Sequence, residues 1–117
     1  MHLAIYQKKY RTYDTLDHFQ ELYYSFGMPH LASDLLNIEL TPKQILNAVK
    51  KGMRAIEASG ESKQKHFLPV YSERNGQIFR DCKLSDLGKA LVLMNATPSN
   101  QYVAKLQLKL CSQFLQK

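Results

Sequence analysis

The sequence predicts an α+β domain in which a small antiparallel sheet packs against about five helices, and three stretches predict it. Thr41-Pro42-Lys43-Gln44 reads as a helix start, with Thr41 at the N-cap, Pro42 in the first helical position and Gln44 three residues past the cap. Phe67 to Tyr71 and Gln77 to Lys83 are strand-like and flank Arg74-Asn75-Gly76, where Asn-Gly tolerates the positive φ that a tight hairpin demands. Asp81 to Phe114 holds two apolar-periodic segments joined by Asn95-Ala96-Thr97-Pro98, which predicts an antiparallel helix pair closing the chain.

The remaining elements follow in order. His2 to Asp14 alternates loosely, and Leu3 and Ile5, with Tyr10 and Tyr13, predict one or two short strands that join the 67–83 hairpin. The tyrosines interleaved with Lys8, Lys9 and Arg11 suit stacking on bases, although such tyrosines are more often half-buried strand positions. Asp14 caps a helix to about Phe26, with Leu16, Phe19, Leu22, Tyr23 and Phe26 on one face and Gly27 as its stop. Pro29 opens a two-turn helix carrying Leu31, Leu35 and Leu36. The helix from Pro42 runs to Ala58 or Ser59, ends at Gly60, and buries Ile45, Val49, Met53 and Ile56. A helix–turn–helix made from 30–37 and 42–59 is an alternative reading of those two segments. In the closing pair, Ser85 caps a helix with Leu87, Leu91 and Met94 at helical spacing. Ser99 caps a second, with Val103, Leu106, Leu110 and Phe114.

The 117 residues, 44% of them hydrophobic, predict a single domain over 1–117 with an ordinary core. Cys82 and Cys111 make neither a disulfide framework nor a ligand cluster and read as small core residues in a reducing compartment. The start lacks a charged-then-apolar leader pattern, and no apolar run approaches a membrane span, which predicts a cytoplasmic chain with no membrane partner.

The four histidines, His2, His18, His30 and His66, lie in separate segments without metal-type spacing. No nucleophile motif is present, and Asp14/Asp17 and Asp81/Asp86 read as helix-start and turn residues. The expectation is a non-enzyme without a cofactor or metal.

The net charge of +6 is unevenly distributed: residues 1–40 carry three basic against five acidic residues, and all the positive excess lies after Leu40. That asymmetry points to an anionic partner, nucleic acid first among them. At about 100° per residue, Lys43, Asn47, Lys50 and Arg54 fall close together on the 42–59 helix, away from its apolar stripe, and Lys51 flanks them. This row suits phosphates, with Asn47 or Arg54 reaching base edges; the alternative is a solvated helix face. Arg74, Arg80 and Lys83 on the hairpin would form a basic wing along a DNA backbone, or else remain solvated.

Several of these residues also carry a resemblance. Leu84-Ser85, Leu91, Asn95, Pro98-Ser99, Val103-Ala104 and Gln107 resemble the pattern that closes the BRO N-terminal domain of phage antirepressors, baculovirus BRO proteins and DNA-damage-inducible protein D. Upstream, Leu31-Ala32-Ser33-Asp34-Leu35-Leu36 is similar to the family's helix with an aspartate before paired leucines. Ile45 to Gly60, followed by His66-Phe67, sits where the family has a helix ending in Ser-Gly and then His-Phe. The similarity runs from about Leu31 to Phe114. It implies a compact mixed domain that binds nucleic acid, DNA foremost, in a phage-type or stress-linked transcription regulator; the expected partner is duplex DNA before single strands. A domain that modulates a repressor or recombination protein without touching DNA is the other reading. A homodimer through the C-terminal helix is a further possibility, because Leu106, Leu108, Leu110, Phe114 and Leu115 make its apolar face wide.

Overall fold

The structure, a computed structural model, describes residues 3–5 and 15–116, with side chains from residue 19 onward. The proposed Asp14 cap and the tyrosine-rich stretch with Lys8, Lys9 and Arg11 lie outside the described residues. The fold is α+β, as the sequence predicts. Strand β1 (Leu3–Ile5) is followed by helix α1 (Thr15–Ser25), strand β2 (His30–Leu31), a 3-10 helix (Ala32–Ile38) and helix α2 (Pro42–Ala58). A 3-10 turn (Lys63–Lys65) leads into strands β3 (Phe67–Arg74) and β4 (Gln77–Leu84), and helices α3 (Asp86–Asn95) and α4 (Gln101–Leu115) close the chain.

The four described strands form one antiparallel sheet in the order β1-β3-β4-β2. Its centre is the β3–β4 hairpin, in which Phe67 faces Leu84 and Arg74 faces Gln77. Asn75 at φ 53 and Gly76 at φ 78 make the two-residue turn with the left-handed backbone that Asn-Gly favours. β1 adds to β3 and the two-residue β2 adds to the far end of β4.

Strand alternation gives the sheet two buried faces. Phe67, Cys82 and Leu84 point into the main core with Ile45, Val49 and Ile56 of α2, Val92 and Leu93 of α3 and Val103 of α4. Leu68 and Val70 point the other way, onto Met28, with Tyr24 of α1 against them.

α2 begins as its sequence dictates. The Thr41 Oγ1 accepts from the Gln44 N–H at 3.2 Å, and the Gln44 side chain accepts from the Thr41 N–H at 2.9 Å. Its buried side is Ile45, Ala48, Val49, Gly52 and Ile56; Met53 is only half-buried, so the stripe is turned toward α3 relative to the predicted one.

Other departures have identifiable causes. Residues 30–31 are strand rather than helix because pairing with Lys83 and Leu84 takes up their backbone. The following turn is 3-10 and ends where Glu39 adopts φ 65, so the proposed helix–turn–helix lacks a first α-helix. The face of α1 expected to be buried is largely in water, with Phe19, Tyr23 and Phe26 exposed, because α1 packs through Tyr24 instead. Along α3 the buried residues are Gly88, Val92 and Leu93, whereas Leu87 and Met94 are exposed. Gly88 sets that rotation: a Cβ there would lie 2.6 Å from the His66 carbonyl oxygen, so only glycine allows α3 to approach so closely. α4 is capped by Asn100 rather than Ser99, its side-chain oxygen accepting from the N–H groups of Tyr102 and Val103. Gln107 fastens α4 to the end of α3 by donating to the carbonyls of Leu93 and Ala96. Beyond it Phe114 is exposed, contrary to its place in the predicted stripe.

The two cysteines divide as well. Cys82 is buried, and burial pushes its thiol from 9.0 up to about 12. Cys111 is exposed, not a core residue, because α4 extends past the core there. A thiol reagent at about pH 8 is therefore expected to modify Cys111 in the folded chain and Cys82 only once denaturant is added. Rapid reaction of both thiols without denaturant would contradict this burial. The raised thiol also gives a sign for alkaline stability. Below 9.0 Cys82 is protonated whether folded or unfolded; above it the unfolded chain ionises first, so this contribution to stability is lost as pH rises toward 12.

Candidate nucleic-acid interface

Lys43, Asn47, Lys50, Lys51 and Arg54 are all exposed on the side of α2 turned away from the core. Four of them, Lys43, Asn47, Lys50 and Arg54, follow one shoulder of the helix. From Lys43 to Arg54 the row rises about 16 Å at about 1.5 Å per residue. Among the described residues none of the five side chains takes part in a hydrogen bond or ion pair. The single acid of α2, Glu57, is engaged by Lys63 at 3.3 Å. The result is a positive shoulder without local neutralisation.

The hairpin cations do not join that row. Lys83 is half-buried where β4 is flanked by β3 and β2. Arg74 is half-buried and donates from Nη2 to Asn37 Oδ1 at 3.0 Å, while Arg80 is exposed. Arg74 and Arg80 instead line one side of a groove of about 690 Å³ between the hairpin, the 3-10 helix and α2. Pro42, Leu46, Val49 and Met53 form the α2 wall of that groove. At about 100° per residue Pro42, Leu46 and Met53 sit between the buried stripe, whose edge is Val49, and the cationic shoulder, so the groove and the shoulder meet along the same helix. Lys83 apart, the proposed site residues thus fall into two surfaces, one facing outward from α2 and one facing inward across the groove.

Comparison with protein-family models, with curated proteins and with solved structures finds no match.

The sequence alone does not reveal the groove, because its walls come from residues far apart in the chain. Leu46 reads as an isolated surface leucine, yet it is half exposed at the groove's lip beside Leu36 and Phe79. Asp81 is not a turn residue: it sits in mid-strand and organises the groove's inner end. Its carboxylate accepts from the Ser33 N–H, the Cys82 N–H and the hydroxyls of Ser33 and Ser72, tying the 3-10 helix to the hairpin. Folding also brings together residue pairs that sequence spacing separates. His30 Nε2 lies 2.7 Å from Asp86 Oδ1, and His66 Nδ1 lies 2.7 Å from Ser85 Oγ. Ser85 Oγ accepts from the Gly88 N–H as the cap of α3, and Asp86 is highly exposed in its first turn, so both pairs anchor the helix start. Among the described residues no three of His, Cys, Asp and Glu come together to hold a metal ion, and no helix is long and apolar enough to cross a membrane.

Proposed function

We propose that this chain is a DNA-binding domain of the BRO N-terminal kind, contacting duplex DNA through the outer shoulder of α2 in a phage-type or DNA-damage-linked regulator. The observation that carries the reading is the row Lys43, Asn47, Lys50 and Arg54, exposed and without an acidic partner among the described residues. Cations at such spacing meet successive phosphates, and Asn47 between them has the geometry to reach a base edge. The resemblance over Leu31 to Phe114 supports the same assignment.

The test is the salt dependence of duplex binding. Lys50 and Arg54 lie off the buried face, so the Lys50→Ala/Arg54→Ala variant is expected to fold like the parent. Its affinity at low salt falls, and its log–log salt slope shrinks by roughly one per lost phosphate contact. Lys105→Ala/Lys109→Ala removes the same charge from exposed sites on α4 and is expected to leave binding close to that of the parent. Equal losses from the two variants would reduce the effect to net charge, and no loss from the first would exclude α2 as the DNA surface.

A second reading is favoured by a separate observation. The apolar groove between α2 and the hairpin is of the size that takes a ligand or a segment of another protein, which supports a domain acting on a protein partner.

A further inference from the structure

The groove runs beside an unpaired strand edge. The two-residue turn makes Arg74 and Gln77 a hydrogen-bonded pair, and antiparallel alternation then turns the N–H and C=O groups of Ile78, Arg80 and Cys82 away from β3. β2 takes up that outer edge only at Lys83 and Leu84, and the Cys82 N–H is satisfied by the Asp81 carboxylate. The backbone groups of Ile78 and Arg80 are left without a backbone partner among the described residues.

We propose that the groove takes an extended segment of a partner protein, which adds a strand to the free edge of β4 and carries acidic side chains among apolar ones. This rests on the protein-partner reading above and on none of the DNA-facing residues of α2. The dimensions agree. The α2 wall from Pro42 to Met53 is about 16 Å long at about 1.5 Å per residue, and the edge from Gln77 to Cys82 is about 17 Å long at about 3.4 Å per residue. A strand lying between them sends alternate side chains toward Leu46, Val49 and Met53.

The charge of the groove selects the rest of the segment. Arg74 is held by the neutral Asn37 side chain, and Arg80 is exposed; among the described residues no carboxylate pairs with either. Asp81, the one acid in the lining, already accepts from four donors and offers little to a cationic peptide. Acidic side chains therefore find two arginines, while basic ones meet repulsion.

The experiment pans a displayed library of random peptides on the full chain, with the Leu46→Arg variant as the counter-selecting surface. Leu46 is 52% exposed, so the substitution obstructs the groove without emptying the core, and circular dichroism checks that the fold is retained. Enriched peptides are expected to alternate apolar residues, to contain Asp or Glu, and to bind the parent but not Leu46→Arg. In the complex the amide hydrogens of Ile78 and Arg80 exchange more slowly. Arg80→Glu weakens the acidic peptides by about tenfold or more, because opposing like charges cost an interface at least that much. The proposal is overturned if no peptide distinguishes the parent from Leu46→Arg, if the enriched peptides are basic, or if the Ile78 and Arg80 amides are unaffected. It is also overturned if the chain forms a dimer that Leu46→Arg dissolves, since the occupant would then be a second copy. Duplex binding measured on Leu46→Arg is expected to be no weaker than that of the parent, because the substitution adds a cation beside the α2 row and removes none, so the DNA reading and the peptide reading fail separately.

Discussion

Replacing Asp81 by alanine is expected to destabilise the chain by about 3 kcal/mol, the cost of leaving buried hydroxyl and amide donors without an acceptor. Ser72 is fully buried and Ser33 nearly so, and the hydroxyls of both donate to the same carboxylate oxygen. The other oxygen takes the N–H groups of Ser33 and Cys82. Urea unfolding measures the loss. Asp81→Asn keeps one side-chain oxygen as an acceptor and is expected to recover part of it. Removing the Ser72 hydroxyl should cost less in the Asp81→Ala background than in the parent, the non-additivity expected of one network. A loss below about 1 kcal/mol would mean that the serine hydroxyls find other acceptors and that Asp81 does not hold the 3-10 helix to the hairpin.

The second large effect concerns Gly88. Glycine to alanine inside a helix ordinarily gains about 1 kcal/mol. Here the added methyl would sit 2.6 Å from the His66 carbonyl oxygen, which also accepts the Ser85 N–H at 3.1 Å. The methyl is fixed to the backbone and what it meets is a backbone carbonyl, so no flexible side chain can swing aside, and Gly88→Ala is expected to lose about 2 kcal/mol through overpacking. Gly52→Ala is the informative comparison: its nearest neighbour is the Phe67 ring at 3.3 Å, which can yield by a few tenths of an ångström. The unfolding midpoint in urea should therefore drop clearly for Gly88→Ala and only slightly for Gly52→Ala. Equal midpoints for the two would show that α3 does not depend on close contact with His66.

What the sequence reveals, and what it hides, follows the range of the interactions. Thr41-Pro42-Lys43-Gln44 and Asn75-Gly76 are readable because each signal and its effect lie within four residues. The α+β class follows from those signals and from periodicity. The exposed cations of α2 are equally legible, since the buried stripe of one helix fixes its opposite face. Leu87 and Met94 are misassigned for the converse reason. Their spacing is helical, but the face that α3 buries is set by the approach of Gly88 to His66, twenty-two residues earlier. The groove is hidden more deeply. Leu36, Leu46 and Phe79 belong to three elements, and no local pattern announces that they will line one space. Asp81 resembles any polar residue near a turn until Ser33, forty-eight residues away, arrives to donate to it.

The same separation along the chain orders the assembly of the sheet. β3 and β4 meet across a two-residue turn whose backbone is already biased to reverse direction, so little loop-closure entropy opposes the hairpin. β2 and the 3-10 helix reach β4 only after a loop of some fifty residues has closed around α2, the Ser33–Asp81 contact itself spanning 48. Closure entropy grows with loop length, so the hairpin is the natural early structure and the docking of residues 30–38 a later event. Until that docking occurs, the Asp81 carboxylate has no Ser33 to bind. The free edge of β4 is then open along its whole length rather than only from Gln77 to Cys82.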